Sequence, residues 1–304
     1  MASVQTLESW DVEVFRQQAF TFGIPAILPE NSPVRSSSAI KKWFTNQPSE
    51  HDVHGEGESS TPQLDKIFWS KYSDLIVPLE ITRVEDESTN ETSFDRIEGP
   101  MRLLLTHLDT TGEDVTNTYS VYLAQHDLRD LPQDLQDDLP TPGLVRHAGK
   151  GDLYSSSLWL GRSPTYTPLH RDPNPNILMQ LAGTKKIRLF RPDIGDAIFE
   201  HAQQLVNHSQ HHTRSSVPSS SSDSAGTRSA SFRGEEMMEG AERRILHDLV
   251  WSASSNDVKN EAILQYAQEA TLNCGQALFI PKGWWHSVKG VGGGVTASAN
   301  WWFR

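Results

Sequence analysis

Thr167-Pro168-Leu169-His170-Arg171-Asp172 is followed at short distance by Asn176-Ile177-Leu178-Met179-Gln180-Leu181 and by Gly183-Thr184-Lys185-Lys186-Ile187-Arg188-Leu189-Phe190. This stretch closes a block, residues 158–190, in which short apolar runs are cut by Gly161, Pro164, Pro168, the 172–176 turn and Gly183. Such dense punctuation predicts short strands and an all-β core with flanking helices. Strand-like runs return near the end, at residues 277–280, 284–289 and 295–302, joined by glycine turns. Short strands on both sides of a long insertion predict a jelly roll whose halves lie far apart in sequence.

Outward from this core the elements are less regular. Residues 1–20 set Glu8, Asp11 and Glu13 against Trp10, Val14 and Phe15, which reads as an amphipathic helix within a helical piece that gives way to the extended run Ile24-Pro25-Ala26-Ile27-Leu28. A short helix over 39–44 ends in Trp43, and 45–62 reads as a polar surface loop or disordered insert. Residues 67–82 and 101–106 read as strands with a hairpin loop at 85–90, and 118–125 as a further strand. A helical piece after Phe199 runs into a serine-rich segment, 209–234, that reads as a disordered insertion, and a helix over 235–251 follows. The expected organisation is one domain over 1–304, with N-terminal helices and strands in 1–117 and the catalytic core in 118–304.

The chain has 304 residues, 36% hydrophobic and 22% charged, enough for a real core. Its single cysteine, Cys274, excludes an intramolecular disulfide framework and a cysteine zinc ribbon. A formal net charge of -12 argues against broad capture of nucleic acid or anionic lipid and tolerates a basic peptide partner. No run approaches the roughly 18 to 20 apolar residues of a membrane span, and the start lacks the pattern of a signal peptide. These features predict an intracellular protein, cytoplasmic and/or nuclear, and a monomer.

His170 and Asp172 stand at i and i+2, so on a strand they face the same side and can share one ion. His286, in Pro281-Lys282-Gly283-Trp284-Trp285-His286 at the start of a strand in the second half, is the best third ligand. Two histidines and a carboxylate on one side of a metal form the facial triad of non-haem Fe(II) oxygenases. A second H-x-D, His107-Leu108-Asp109, lacks a suitably spaced strand lysine behind it. His170-Arg171-Asp172 also spells the start of a kinase catalytic loop, but the asparagine due five positions after the aspartate is Ile177. Gly292-Gly293-Gly294 lacks the Lys-Ser/Thr of a phosphate loop and reads as a hairpin turn, and His201, His208, His211 and His212 read as solvated polar residues.

The 167–172 tract, the Gly-Thr-Lys run and Ala299-Asn300-Trp301-Trp302 resemble a Jumonji-C (JmjC) oxygenase of the hydroxylase type. Tyr122-Leu123-Ala124-Gln125-His126, with Asp127-Leu128, is similar to the protein arginyl hydroxylase branch, as are Ile24-Pro25-Ala26-Ile27-Leu28 and Trp43 to the family's N-terminal segment. The serine-rich insert and the acidic loops depart from it. The resemblance implies a cupin-like double-stranded β-helix that holds Fe(II) through His170, Asp172 and His286. It implies that 2-oxoglutarate chelates the iron and extends its far carboxylate to Lys185, with Tyr122, Thr167, Asn176 and Asn300 lining that cosubstrate. An ammonium facing a dry barrel suits a buried carboxylate, and Lys186 should face the other way. Trp159, Trp285 and Trp301 are candidates for the substrate mouth or for the core. The implied reaction uses O2 and 2-oxoglutarate to oxidise a C–H bond, in a protein side chain such as arginine on a basic peptide or protein. N-methyl-lysine (histone) demethylation, a small-molecule or RNA-base oxygenase, and an inactive binding module are the alternatives.

Overall fold

Residues 1–29, 36–45, 61–86, 91–109, 119–213, 240–252 and 263–304 are described by the computed structural model. Two sheets face each other. The larger has nine strands, ordered Gln5–Thr6, Ala26–Leu28, Ala277–Ile280, Asn176–Ala182, Val295–Phe303, Leu153–Arg162, Tyr119–Asp127, Ile76–Asp86 and Glu91–Pro100. The smaller has five, ordered Ala2–Ser3, Gln268–Leu272, Thr184–Phe190, Trp285–Val291 and Thr165–Arg171. From Leu153 to Phe190 the chain alternates between the sheets strand by strand, and from Gln268 to Phe303 it does so again, which is the expected jelly roll.

The Val295–Phe303 strand explains how the two sheets share one interior. Ala297, Ala299, Trp301 and Phe303 alternate with Thr296, Ser298 and Asn300, and a period of two sends the sets to opposite faces. The apolar set joins the outer core with Ile177, Met179 and Phe279. The polar set is equally buried but turns inward, where Ser298 meets Lys185 of the other sheet and Asn300 meets Asn176. One end of the barrel is instead apolar, packed by Leu178, Ile187, Leu189, Leu272 and Leu278. Two helices, Pro192–Thr213 and Gly240–Trp251, cover the outside of the smaller sheet through Phe199, Leu246 and Leu249 against Phe190 and Trp285.

Several sequence expectations change. The start is not a helix throughout: Ala2–Ser3 and Gln5–Thr6 pair in parallel with Gln268–Glu269 and Ala26–Ile27, and helix covers only 12–20. Residues 66–70 form a helix because Asp65 caps it, accepting from the Phe68 N–H at 2.8 Å, while Trp69 packs on Trp43 with ring centroids 5.4 Å apart. The run 101–106 belongs largely to the helix Arg102–Asp109, since Leu104 and Leu108 meet the core at helical spacing and Leu103 is left exposed. The expected hairpin exists, with Ile76–Asp86 antiparallel to Glu91–Pro100, although 87–90 lie outside the described residues. Gly292 and Gly294, at φ of 80° and 74°, turn the chain between the two sheets and not within a hairpin. Of the serine-rich segment, 209–213 end the helix from Pro192, and 214–234 lie outside the described residues, as do 46–60. The Gln268–Leu272 strand had no sequence signal strong enough to assign it.

Ile187 has no exposed surface and projects into the apolar end of the barrel. Ile187→Ala is expected to cost about 2 to 5 kcal/mol of stability, read as a lower denaturant midpoint with an unchanged slope in equilibrium unfolding.

Candidate metal centre

His170 and His286 face each other across neighbouring antiparallel strands, as direct partners in the register that joins Thr165–Arg171 to Trp285–Val291. The register shifts between Thr167 and His170, an irregularity of the kind that re-aims a side chain beside a site. Asp172 lies just past the end of the first strand, where its carbonyl accepts from the Gly283 N–H at 3.1 Å. The imidazole centroids are 4.2 Å apart, and His286 Nε2 is 3.7 Å from Asp172 Oδ2. One potential ligand atom from each of the three residues falls within 4.8 Å of the others.

Backbone oxygens settle how the rings are protonated. His170 Nδ1 is 2.8 Å from the Pro168 carbonyl and His286 Nδ1 is 3.1 Å from the Trp284 carbonyl. A carbonyl only accepts, so each Nδ1 carries a hydrogen, which leaves Nε2 as the ring nitrogen available to a metal. Burial first, and then the proximity of the His170 ring, pushes His286 down to about 4, so it is neutral near pH 7. The carboxylate is oriented in turn: Asp172 Oδ2 accepts from Trp302 Nε1 at 2.8 Å and from Asn176 Nδ2 at 3.3 Å. Asn300 Nδ2 donates to Asn176 Oδ1 at 2.9 Å, so three inward residues of the larger sheet fix the third ligand. Two imidazoles and one carboxylate suit a divalent iron with open positions.

Deeper in the barrel, Lys185 is 4% exposed and donates to Ser298 Oγ at 2.6 Å and to Tyr122 Oη at 3.4 Å. Burial without a compensating carboxylate lowers its ammonium to about 7. A cation held there is costly unless an anion joins it, which is the chemistry of a dicarboxylate pocket. Burial, helped by the charge of Glu80, raises the Tyr122 phenol, so it stays a hydrogen donor. Its ring lies over Gly161, where a Cβ would come within 2.2 Å of it. Lys186 points to solvent, as expected.

A cavity of about 730 Å³ opens beside two of the three candidate ligands, His170 and Asp172, with the third, His286, buried behind its wall. Tyr122, Thr167, His170 and Asp172 line it, whereas Lys185, Asn176 and Asn300 stand behind its wall. Trp159 and Trp302 also line it, but Trp301 is core and Trp285 packs on Phe199 under the helices. The second H-x-D lies on the helix Arg102–Asp109, where positions i and i+2 point apart, and it joins no metal-ligand cluster among the described residues. Sequence reading missed Ser298 and Trp302, which share the inward parity of Asn300 and were legible from it. It also missed Glu80, Arg243 and Lys289 on the cavity wall, for which no local motif exists. The acidic balance of the chain does not extend into the cavity: Arg96, Arg162, Arg171, Arg243 and Lys289 outnumber Glu80 and Asp172.

The sequence pattern of a family described as "Cupin-like domain" matches residues 26–304. Among curated proteins, lysine-specific demethylase JMJ30 of Arabidopsis thaliana is 42% identical over 90 residues, covering 29% of this chain and 21% of that protein. Lysine-specific demethylase 8 of Xenopus tropicalis is 26% identical over 183 residues, 60% of this chain and 32% of the relative. Lysine-specific demethylase JMJ31 of Arabidopsis thaliana is 26% identical over 191 residues, 60% and 28% respectively. The chain thus spans between about a fifth and a third of the length of these relatives. No described helix is long and apolar enough to cross a membrane.

Trp302 touches Asp172 without being a ligand. Trp302→Phe is expected to weaken Fe(II) binding about 10- to 100-fold while leaving thermal stability of the apoprotein nearly unchanged, as measured by competition with a chromogenic chelator and by calorimetry.

Proposed function

The chain belongs to the cupin-like domain family in its JmjC form, and we propose that it is an Fe(II)- and 2-oxoglutarate-dependent dioxygenase that hydroxylates a protein side chain, with arginine as the leading candidate. One observation carries this reading: the three converging metal ligands and a buried lysine with no carboxylate beside it belong to the same barrel interior. Iron with 2-oxoglutarate supplies the oxidising chemistry when bound, splitting O2 between a substrate C–H bond and the cosubstrate, which leaves as succinate and carbon dioxide.

His170, Asp172 and His286 hold the iron in this reading, and Lys185 neutralises the far carboxylate of 2-oxoglutarate. Tyr122 and Thr167 line the approach to that carboxylate and offer hydroxyl donors. Asn176 and Asn300 act through their mutual hydrogen bond, which presents one amide toward Asp172. Buried apolar neighbours such as Leu178 and Val288 exclude water from the closed end. Glu80 on the cavity wall offers a carboxylate to a guanidinium.

A second reading is favoured by the relatives named lysine-specific demethylases. The same C–H oxidation on an N-methyl group yields a carbinolamine that loses formaldehyde, so the two readings share every residue of the metal and cosubstrate site. They differ in the substrate.

The expected result of an anaerobic titration with Fe(II) and then 2-oxoglutarate is a visible charge-transfer band, absent in His286→Ala and requiring much more 2-oxoglutarate in Lys185→Ala. With the band in hand, mass spectrometry of arginine and methyl-lysine peptides separates the readings: an oxygen retained on arginine supports hydroxylation, and formaldehyde with loss of a methyl group supports demethylation. No band in folded, iron-loaded protein sinks both and leaves a binding module.

The lysine also sets a pH dependence. Its ammonium titrates near 7 before the anion binds and is favoured once it is bound. Affinity for 2-oxoglutarate is therefore highest below pH 7 and falls above it by up to about tenfold per unit. Calorimetry at pH 8 in buffers of different ionisation enthalpy should register uptake of a proton on binding, and no uptake would contradict the assignment of Lys185.

A further inference from the structure

The cavity does not end at the metal ligands. It passes over Thr165–Arg171, an edge strand of the smaller sheet, to the helix Gly240–Trp251, which packs on that strand and supplies Arg243 and His247 to the wall. Tyr166 and Lys289 are direct cross-strand partners there. The Arg243 guanidinium lies 4.9 Å and the Lys289 ammonium 5.9 Å from the Tyr166 ring centre, and His247 meets the same ring edge-on at 5.0 Å.

Other cations of the cavity wall have partners. Arg171 pairs with Asp196 at 3.0 Å, Arg162 donates to the Leu108 carbonyl, and Arg96 stands opposite Glu80 on the neighbouring strand. Arg243 differs. Its Nε is buried and has no acceptor among the described residues, and its recorded stabilising contact is the face of Tyr166. Lys289 Nζ lies 2.7 Å from His247 Nε2, and an ammonium only donates, so one of its hydrogens is directed to that ring. Burial lowers both Arg243 and Lys289; at Lys289 the neighbouring Arg188 adds to the lowering and Asp248 partly offsets it. A guanidinium with an unused buried donor is costly, and an incoming anion relieves that cost with a charge-assisted bond.

We infer that Arg243 and Lys289, on the floor formed by Tyr166, bind an acidic side chain of the protein substrate near the position that is oxidised. This deepens the proposed reading and rests on it. A basic side chain at the iron and an acidic neighbour over the edge strand together match a cavity in which Glu80 and the Arg243 recess are separate features of one wall. Selection is then for a local pattern of charge and not for basicity alone, even though the chain as a whole carries -12.

Two fluorescein-labelled peptides with one central arginine, flanked on both sides by aspartates or by asparagines, test this on the full chain loaded anaerobically with Fe(II) and 2-oxoglutarate. Fluorescence anisotropy is expected to show at least about tenfold tighter binding of the aspartate peptide, a preference that shrinks as salt is raised. Arg243→Gln should reduce the preference to within about twofold, and Arg243→Lys should retain most of it. The charge-transfer band, which involves none of these residues, reports separately whether the loaded site exists. Equal affinity for the two peptides, including no measurable binding of either, overturns the inference, as does a preference that survives in Arg243→Gln. Loss of the band overturns the oxygenase reading instead.

Discussion

His170 and His286 come from strands separated by the whole insertion, and they meet because Thr165–Arg171 and Trp285–Val291 pair in one register. A slip of one residue would turn His286 to the outer face and present Trp285 or Ser287 to the candidate metal position. What pins that register lies mostly outside the site. Trp285 is held beneath the helices by Phe199 and by its Nε1–H bond to Asp196 at 3.1 Å, and Ser287 Oγ donates to the Thr167 carbonyl at 2.8 Å. The residues on either side of His286 are thus anchors facing outward, and the ligand faces inward as a consequence of the pleat.

The interior that this register closes departs from an ordinary core. Along Val295–Phe303 the inward positions are Thr296, Ser298 and Asn300, and the inward lysine of Thr184–Phe190 is Lys185. Buried polar groups of this kind are tolerated where each finds a partner, and here Thr296 and Asn300 find theirs on the neighbouring strand while Ser298 finds Lys185 across the gap between sheets. The exception is charge: Lys185 keeps hydrogen bonds but no counter-ion among the described residues. The fold therefore holds a standing electrostatic cost at Lys185, offset by the apolar packing of Ile187, Leu189 and Leu272 beside it.

Most of this centre was legible in the sequence because its two histidines sit on strands, with Asp172 one residue past the end of one, and on strands spacing converts directly into direction. The i, i+2 pair at 170 and 172, the alternation after Val295 and the lysine after Gly183 each carry their geometry locally. What was not legible depends on pairing over distance. Ala2–Ser3 is a strand only because Gln268–Glu269 lies beside it. Arg102–Asp109 is a helix because Leu104 and Leu108 find a core that three consecutive leucines do not reveal. The cationic recess is assembled from an insertion helix and two strands, and neither Arg243 nor Lys289 sits in a recognisable motif. Net charge says little about the cavity for the same reason, since it averages a surface over which the cavity wall has its own sign.

The place of Val295–Phe303 in the larger sheet has a consequence for how the chain reaches its native state. This most C-terminal of the described strands sits in the middle of that sheet, between Asn176–Ala182 and Leu153–Arg162. Until it is available those two strands expose unpaired edges toward each other, and the sheet exists as two fragments. Pairings of such long sequence separation are slow to form and leave apolar edges open to association in the meantime. During synthesis the barrel cannot close early from its N-terminal half. Assembly of the candidate metal centre is thereby a late event, completed only when these strands have all emerged.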